Sequence, residues 1–132
     1  MPPLSAADAD SLAQSFRDMA QTMSDFLHAQ WANLDPNDRQ QVHDNIFDLL
    51  LRSDDLEALA GILDLDSAAT SVAQLTAATQ QASQFLEKVA DLKKAVGLVA
   101  AGLGLATAIV AKDPKAIMAS LKTFQGLLKP SP

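Results

Sequence analysis

Two histidines, His28 and His43, are the side chains of this 132-residue chain best suited to proton transfer or metal ligation. Asp25-x-x-His28 places a carboxylate and an imidazole on one helix face, as a di-metal helical bundle requires. Such a site also draws glutamates from neighbouring helices, and the chain holds only Glu57 and Glu87, with Asp44 and Asp48 as shorter substitutes. Both histidines therefore read as surface or capping residues. The absence of cysteine removes thiolate ligands, thiol nucleophiles and disulfides. Serine, histidine and aspartate are present, but no strand-turn-helix context presents a serine as a nucleophile. Gly102-x-Gly104 lies inside an apolar run and does not open a helix after a strand, so it is not a phosphate loop. The expectation is a non-enzyme without metal, cofactor or small-molecule substrate.

Charge is unevenly spread. The net is −6, with 13 acids against 3 arginines in residues 1–66 and 3 acids against 7 lysines in residues 67–132. An acidic front half without an Arg-rich cluster repels nucleic-acid phosphate. The opposite signs fit two arrangements: halves that attract within one fold, or a lysine-bearing half that faces anionic lipid once they part. The N-terminal stretch meets an acid, Asp8, before any basic residue, which is not a secretory pattern. The protein is expected in the cytoplasm when made, with export lacking a cleaved signal left open.

The elements read as an all-α chain of four to five helices: a flexible tail at 1–4, then one helical domain over 5–129. Ser5 with Asp8 makes a capping box. Leu12, Phe16, Met19, Met23, Phe26 and Gln30 recur at spacings of four and three, widened by Leu27, Trp31 and Leu34, and predict a helix over 6–33. On that seam Trp31 is a core residue or an interface anchor. Asp35-Pro36 caps and starts a second helix, 36–52, with Val42, Ile46, Leu49 and Leu50 inward. Ser53, Asp54 and Asp55 punctuate the chain before a short helix, 54–60, that ends at Gly61. Ile62, Leu63 and Leu65 then form an apolar connector. Asp66 or Ser67 opens a helical pattern reaching 111, with a seam of Phe85, Val89, Leu92, Val96, Val99, Leu103, Ala106 and Val110. A helix over 67–111 would be about 67 Å long at 1.5 Å per residue, so a bend, break or protrusion is expected near 76–83 or 97–104. Asp113-Pro114 starts a last helix, 114–128, stopped by Lys129-Pro130, with Lys115, Lys122 and Lys129 as an outer basic stripe.

Within this pattern one segment is unlike the rest. Ala95 to Ala111 carries no charge and one polar side chain, Thr107, and lies between Lys93, Lys94 and Lys112. A helix apolar on all sides must be surrounded by protein or by lipid. Its 17 residues span about 25 Å, against a hydrocarbon core of about 30 Å. Gly97 with Ala101, Ala100 with Gly104, and Gly104 with Ala108 are pairs that allow close helix packing, in protein or in lipid. The residues that would carry packing or insertion are Val96, Gly97, Leu98, Val99, Gly102, Leu103, Gly104, Leu105, Ile109 and Val110. The flanking lysines would sit at the interfaces.

A cysteine-free helical chain with one Gly/Ala-rich apolar segment between lysines resembles the helical pore-forming toxins of the cytolysin A type and their multicomponent relatives. The resemblance covers residues 93–112 and the helical context. It implies a hydrophobic segment that is shielded at first, then inserts and oligomerises. The expected function is a small helical membrane-interacting protein, a pore-forming toxin or a toxin component. The alternative is a helical oligomerisation or adaptor protein that binds a partner helix. A homo-oligomer is expected in either case, because the seams at 12–30 and 85–110 offer more apolar surface than a short bundle covers.

Overall fold

The computed structural model of the chain describes residues 5–59, 71–88 and 91–128. Among them the fold is all-α: α1 (Ala6–Ala29), a 3-10 turn (Trp31–Asn33), α2 (Pro36–Glu57), α3 (Val72–Glu87), α4 (Leu92–Val110) and α5 (Pro114–Leu128), with no strand. The proposed tail at 1–4, the Gly61 cap, the connector at Ile62–Leu65, the Asp66/Ser67 cap, Val89 and the Lys129-Pro130 stop lie outside the described residues.

Short polar side chains start the helices by accepting from otherwise unpartnered backbone N–H groups. Ser5 Oγ accepts from Asp8 N at 3.1 Å, and Asp35 Oδ1 from Asp38 N at 2.8 Å. Ser71 Oγ accepts from Gln74 N at 3.2 Å, and Asp91 Oδ1 from Lys94 N at 3.2 Å. Asp113 Oδ1 accepts from Lys115 N at 3.1 Å and Ala116 N at 3.3 Å. The Asp91 cap divides the long pattern into α3 and α4. The division falls at neither expected place: α3 runs unbroken through 76–83 and α4 through 97–104. Apolar spacing carries on from Phe85 to Leu92 and masks the cap.

Two other boundaries differ from the sequence reading. α1 stops at Ala29, and the N–H groups of Asn33 and Leu34 both turn back to the Gln30 carbonyl, at 2.9 and 3.1 Å. That tightening tucks Leu34 into the core and leaves Trp31 outside it. α2 passes straight through Ser53–Asp55 to Glu57, so no separate helix begins at 54. Ser53 is buried and its hydroxyl donates to the Leu49 carbonyl at 2.9 Å, which satisfies it inside the helix. The inward stripe of α2 is Val42, Ile46, Leu49, Ser53 and Leu56, while Leu50 is exposed.

α1 packs on α2 and α3, and α4 packs on α2 and α5, with lighter contact of α3 to α4 and α5. Phe16, Met19 and Met23 of α1 meet Leu49, Leu75, Leu98, Leu105, Ile109, Ile117 and Phe124 in one continuous core. Each such side chain contributes about 1.5–3 kcal/mol when fully buried.

Ion pairing does not join the front half to most of the rear lysines. Arg17 pairs with Asp54 at 2.9 Å and Glu57 at 2.6 Å, and Arg52 with Asp55 at 3.0 Å. Lys93, Lys112, Lys115 and Lys122 pair with no acid among the described residues. The halves are held to each other chiefly by apolar side chains.

Candidate functional site

α4 is the element that the sequence singles out. Asp91 caps its start, Lys93 is exposed, and the Lys94 ammonium lies over the Phe85 ring, 5.6 Å from its centroid. The inward face includes Ala95, Leu98, Val99, Gly102, Leu105, Ala106, Ala108 and Ile109. This is not quite the seam that regular spacing selects. Leu103 and Val110, placed on the seam by sequence, are half-buried, whereas Leu98, Leu105 and Ile109 are fully buried. When every position is apolar, periodicity cannot choose a face, and fit against the neighbouring helices decides. Val96 is also buried, toward the edge of the packed face.

The three glycines of α4 are unlike one another. A Cβ on Gly102 would lie 3.0 Å from the Met19 methyl and 3.1 Å from that of Met23, so the missing side chain at Gly102 is what lets the α1 methionines reach the surface of α4. A Cβ on Gly97 or Gly104 would meet nothing within 4 Å. Lys93, Gly97, Ala100, Gly104, Thr107 and Ala111 follow one another at spacings of four and three along the outward side, each exposed or half-buried. Thr107 Oγ1 donates to the Leu103 carbonyl at 2.8 Å, so the one polar side chain of the segment is satisfied within its own helix. An open groove of about 270 Å³ runs beside this strip, lined by Ala101, Gly104, Ala119, Ser120 and Thr123.

α4 closes on a Schellman turn. Lys112 N donates to the Ile109 carbonyl at 3.0 Å, and Asp113 N to that of Ala108 at 3.5 Å. The turn puts Lys112 at φ 58°, a left-handed position where glycine is usual. Lys93 and Lys112 thus stand at opposite ends of the apolar helix, both exposed.

Trp31 is 49% exposed, with the Arg39 guanidinium 5.0 Å from its ring centroid and Arg39 Nε donating to its carbonyl at 2.7 Å. It is therefore a surface aromatic and not a core residue. His28 is exposed, with Nδ1 2.9 Å from the Ser24 carbonyl, and His43 is exposed beside Asp44 at 3.4 Å. Among the described residues no three His, Asp or Glu side chains converge as metal ligands. Arg17 is held above its ordinary pKa by hydrogen bonds to Glu57 and then Asp54, partly opposed by burial.

One exposed feature was not anticipated from the sequence. Phe47, Leu50 and Leu51 all face outward on α2. Three consecutive leucines, 49–51, span too wide an arc for one helix face to bury them all, and that signal was available. Compared with models of known families, with curated proteins and with solved structures, the chain matches none.

Proposed function

We propose that this is a small membrane-interacting helical protein that holds α4 against its bundle until it meets lipid, in the manner of a pore-forming toxin or one component of such a toxin. The supporting observation is α4 itself. It is long and apolar enough to cross a membrane, yet only half of the relevant stretch is buried. Its 19 residues extend about 28 Å, close to the hydrocarbon thickness, with Lys93 and Lys112 at the two ends. Gly97 and Gly104 weaken the helix by about 1 kcal/mol each relative to alanine without serving any contact in the bundle. Close packing between copies of the helix in lipid would use them.

The test is dye release from anionic and from neutral vesicles by the folded protein. Release that is lost in Gly104→Leu while circular dichroism and thermal unfolding show the bundle intact supports the proposal, because a Cβ at Gly104 meets nothing within 4 Å in the bundle whereas close helix packing in lipid has no place for the side chain. Leu105→Asp is a poorer probe, since it would place a charge at a fully buried position and disturb the bundle as well. Absence of release from either vesicle by well-folded wild-type protein overturns the proposal.

A second reading, a helical interaction module, is favoured by the exposed Phe47, Leu50 and Leu51. This apolar face is flanked by Asp44, Asp48, Asp54 and Asp55, and the adjacent Arg52 is paired with Asp55, which suits a protein partner better than an anionic lipid surface.

A further inference from the structure

The outward face of α2 sets an apolar residue between two acids: Asp48, Leu51 and Asp55, at spacings of three and four. The outward face of α5 sets an apolar residue between two lysines at the same spacings: Lys115, Met118 and Lys122. In both sets the outer residues are seven positions apart, about 10.5 Å along a helix. Leu51 is 46% exposed and Met118 is 47% exposed, large fractions for side chains of this kind. Phe47, at 60%, extends the α2 face by one turn. Over their full lengths α2 carries six acids against two arginines, and α5 carries two lysines and no acid. Asp48, Lys115 and Lys122 have no ion-pair partner among the described residues, whereas Asp55 pairs with Arg52 of its own helix at 3.0 Å, a pair that docking onto a lysine would share or exchange. α2 and α5 each pack along α4 and not appreciably against each other, so a single copy cannot bring these two faces into contact.

We propose that copies of this chain associate head to tail, with the Asp48–Leu51–Asp55 face of α2 on one copy docking onto the Lys115–Met118–Lys122 face of α5 on the next. The second reading of function thereby acquires a specific occupant, a second copy of this chain. Laid parallel, the two triads match residue for residue. Laid antiparallel, they match to within one residue's rise, about 1.5 Å. Two acids meet two lysines around a Leu–Met contact that removes both side chains from water. The two faces differ and lie on different helices, so the contact is heterologous. A docked pair leaves one α2 face and one α5 face unused, and association continues until a ring closes or a filament grows. Interspersed charge of opposite sign fixes the register and disfavours α2–α2 and α5–α5 contacts.

The experiment is sedimentation of the full chain without lipid, over a range of concentrations, at about 0.01 M and about 1 M salt, where the screening length falls from about 30 Å to about 3 Å. The wild type is expected to exceed the monomer mass at low salt, to grow with concentration, and to dissociate at high salt. Lys115→Glu/Lys122→Glu makes both faces acidic, and Asp48→Lys/Asp55→Lys makes both basic. Each variant alone is expected to weaken association more than about tenfold, and an equimolar mixture of the two to restore it. Circular dichroism checks that each is folded, since Asp55→Lys also removes the exposed pair with Arg52. Met118→Glu gives a second route to the same loss at a site with little to disturb. A wild type that stays monomeric at low salt, a salt-insensitive oligomer, or a mixture that stays monomeric overturns the proposal. Dye release is read separately, so failure here and failure of the membrane proposal are distinguishable.

Discussion

Replacing Gly97 and Gly104 together by alanine should stabilise the bundle. A Cβ at either position meets nothing within 4 Å, so no packing changes and helix propensity alone acts. Alanine is favoured over glycine in a helix interior by about 1 kcal/mol, which gives about 2 kcal/mol for the pair. The two sites are seven residues apart and share no partner, so their effects should add. In urea titration the midpoint should rise by about 1 M with an unchanged slope, given slopes of about 1–3 kcal/mol per molar. Gly102→Ala is the internal comparison. The same propensity gain is set there against the Met19 and Met23 methyls, which must retreat by a few tenths of an ångström, so the net change should be smaller. If the double variant is no more stable than wild type, or if Gly102→Ala stabilises more than Gly104→Ala, the assignment of inner and outer faces on α4 is refuted.

Lys112→Gly should raise stability by about 1 kcal/mol by relieving a left-handed backbone at a non-glycine residue, read as a higher urea midpoint. Arg17→Ala removes both pairs that tie α1 to the end of α2, and the loss should be about 1 kcal/mol and smaller in high salt, because the carboxylates are well exposed. Arg17 is held above its ordinary pKa, so its contribution is complete below that ordinary value and is lost only as pH rises through the raised one. The difference between wild type and Arg17→Ala should therefore not shrink between neutral pH and about pH 11. Backbone hydrogen exchange should be faster in α5, which buries Ile117, Leu121 and Phe124, than in the middle of α1, which buries nine residues.

Helix starts were legible wherever a capping side chain met a change of pattern. Ser5, Asp35-Pro36 and Asp113-Pro114 mark α1, α2 and α5 in the sequence and hold those caps in the structure. Asp91 was hidden because the apolar spacing continues on both sides of it. Ser53 misled in the opposite direction: a hydroxyl that reads as punctuation is satisfied by the Leu49 carbonyl and stays in the core. The apolar segment was plain as a segment, but its inward face was not, since all its faces are apolar. Trp31 left the core because a single 3-10 turn displaced it, and apolar spacing carries no record of such a turn. The role of Arg17 rests on partners 37 and 40 residues away, which no local pattern encodes.

The route by which α4 could be freed follows from what holds it. The rear lysines Lys93, Lys112, Lys115 and Lys122 make no ion pair with an acid among the described residues. Protonating the acids would break no such contact at these four lysines; the contacts it would break are those of Arg17 with Asp54 and Glu57 and of Arg52 with Asp55. α4 is covered mainly by α2 and by α5, with lighter contact from α3 and the Met19 and Met23 methyls of α1. Detaching α2 would expose Val42, Ile46, Leu49 and Leu56 and break the pairs that Arg17 makes to its end. Detaching α5 would expose three buried side chains, at about 1.5–3 kcal/mol each. It would also act at the turn where Lys112 has positive φ, the one non-glycine residue to do so among the described residues. α5 is therefore the more easily released cover. The groove beside Gly104 is walled by α5 through Ala119, Ser120 and Thr123, so its departure would bare the small-residue side of α4 first.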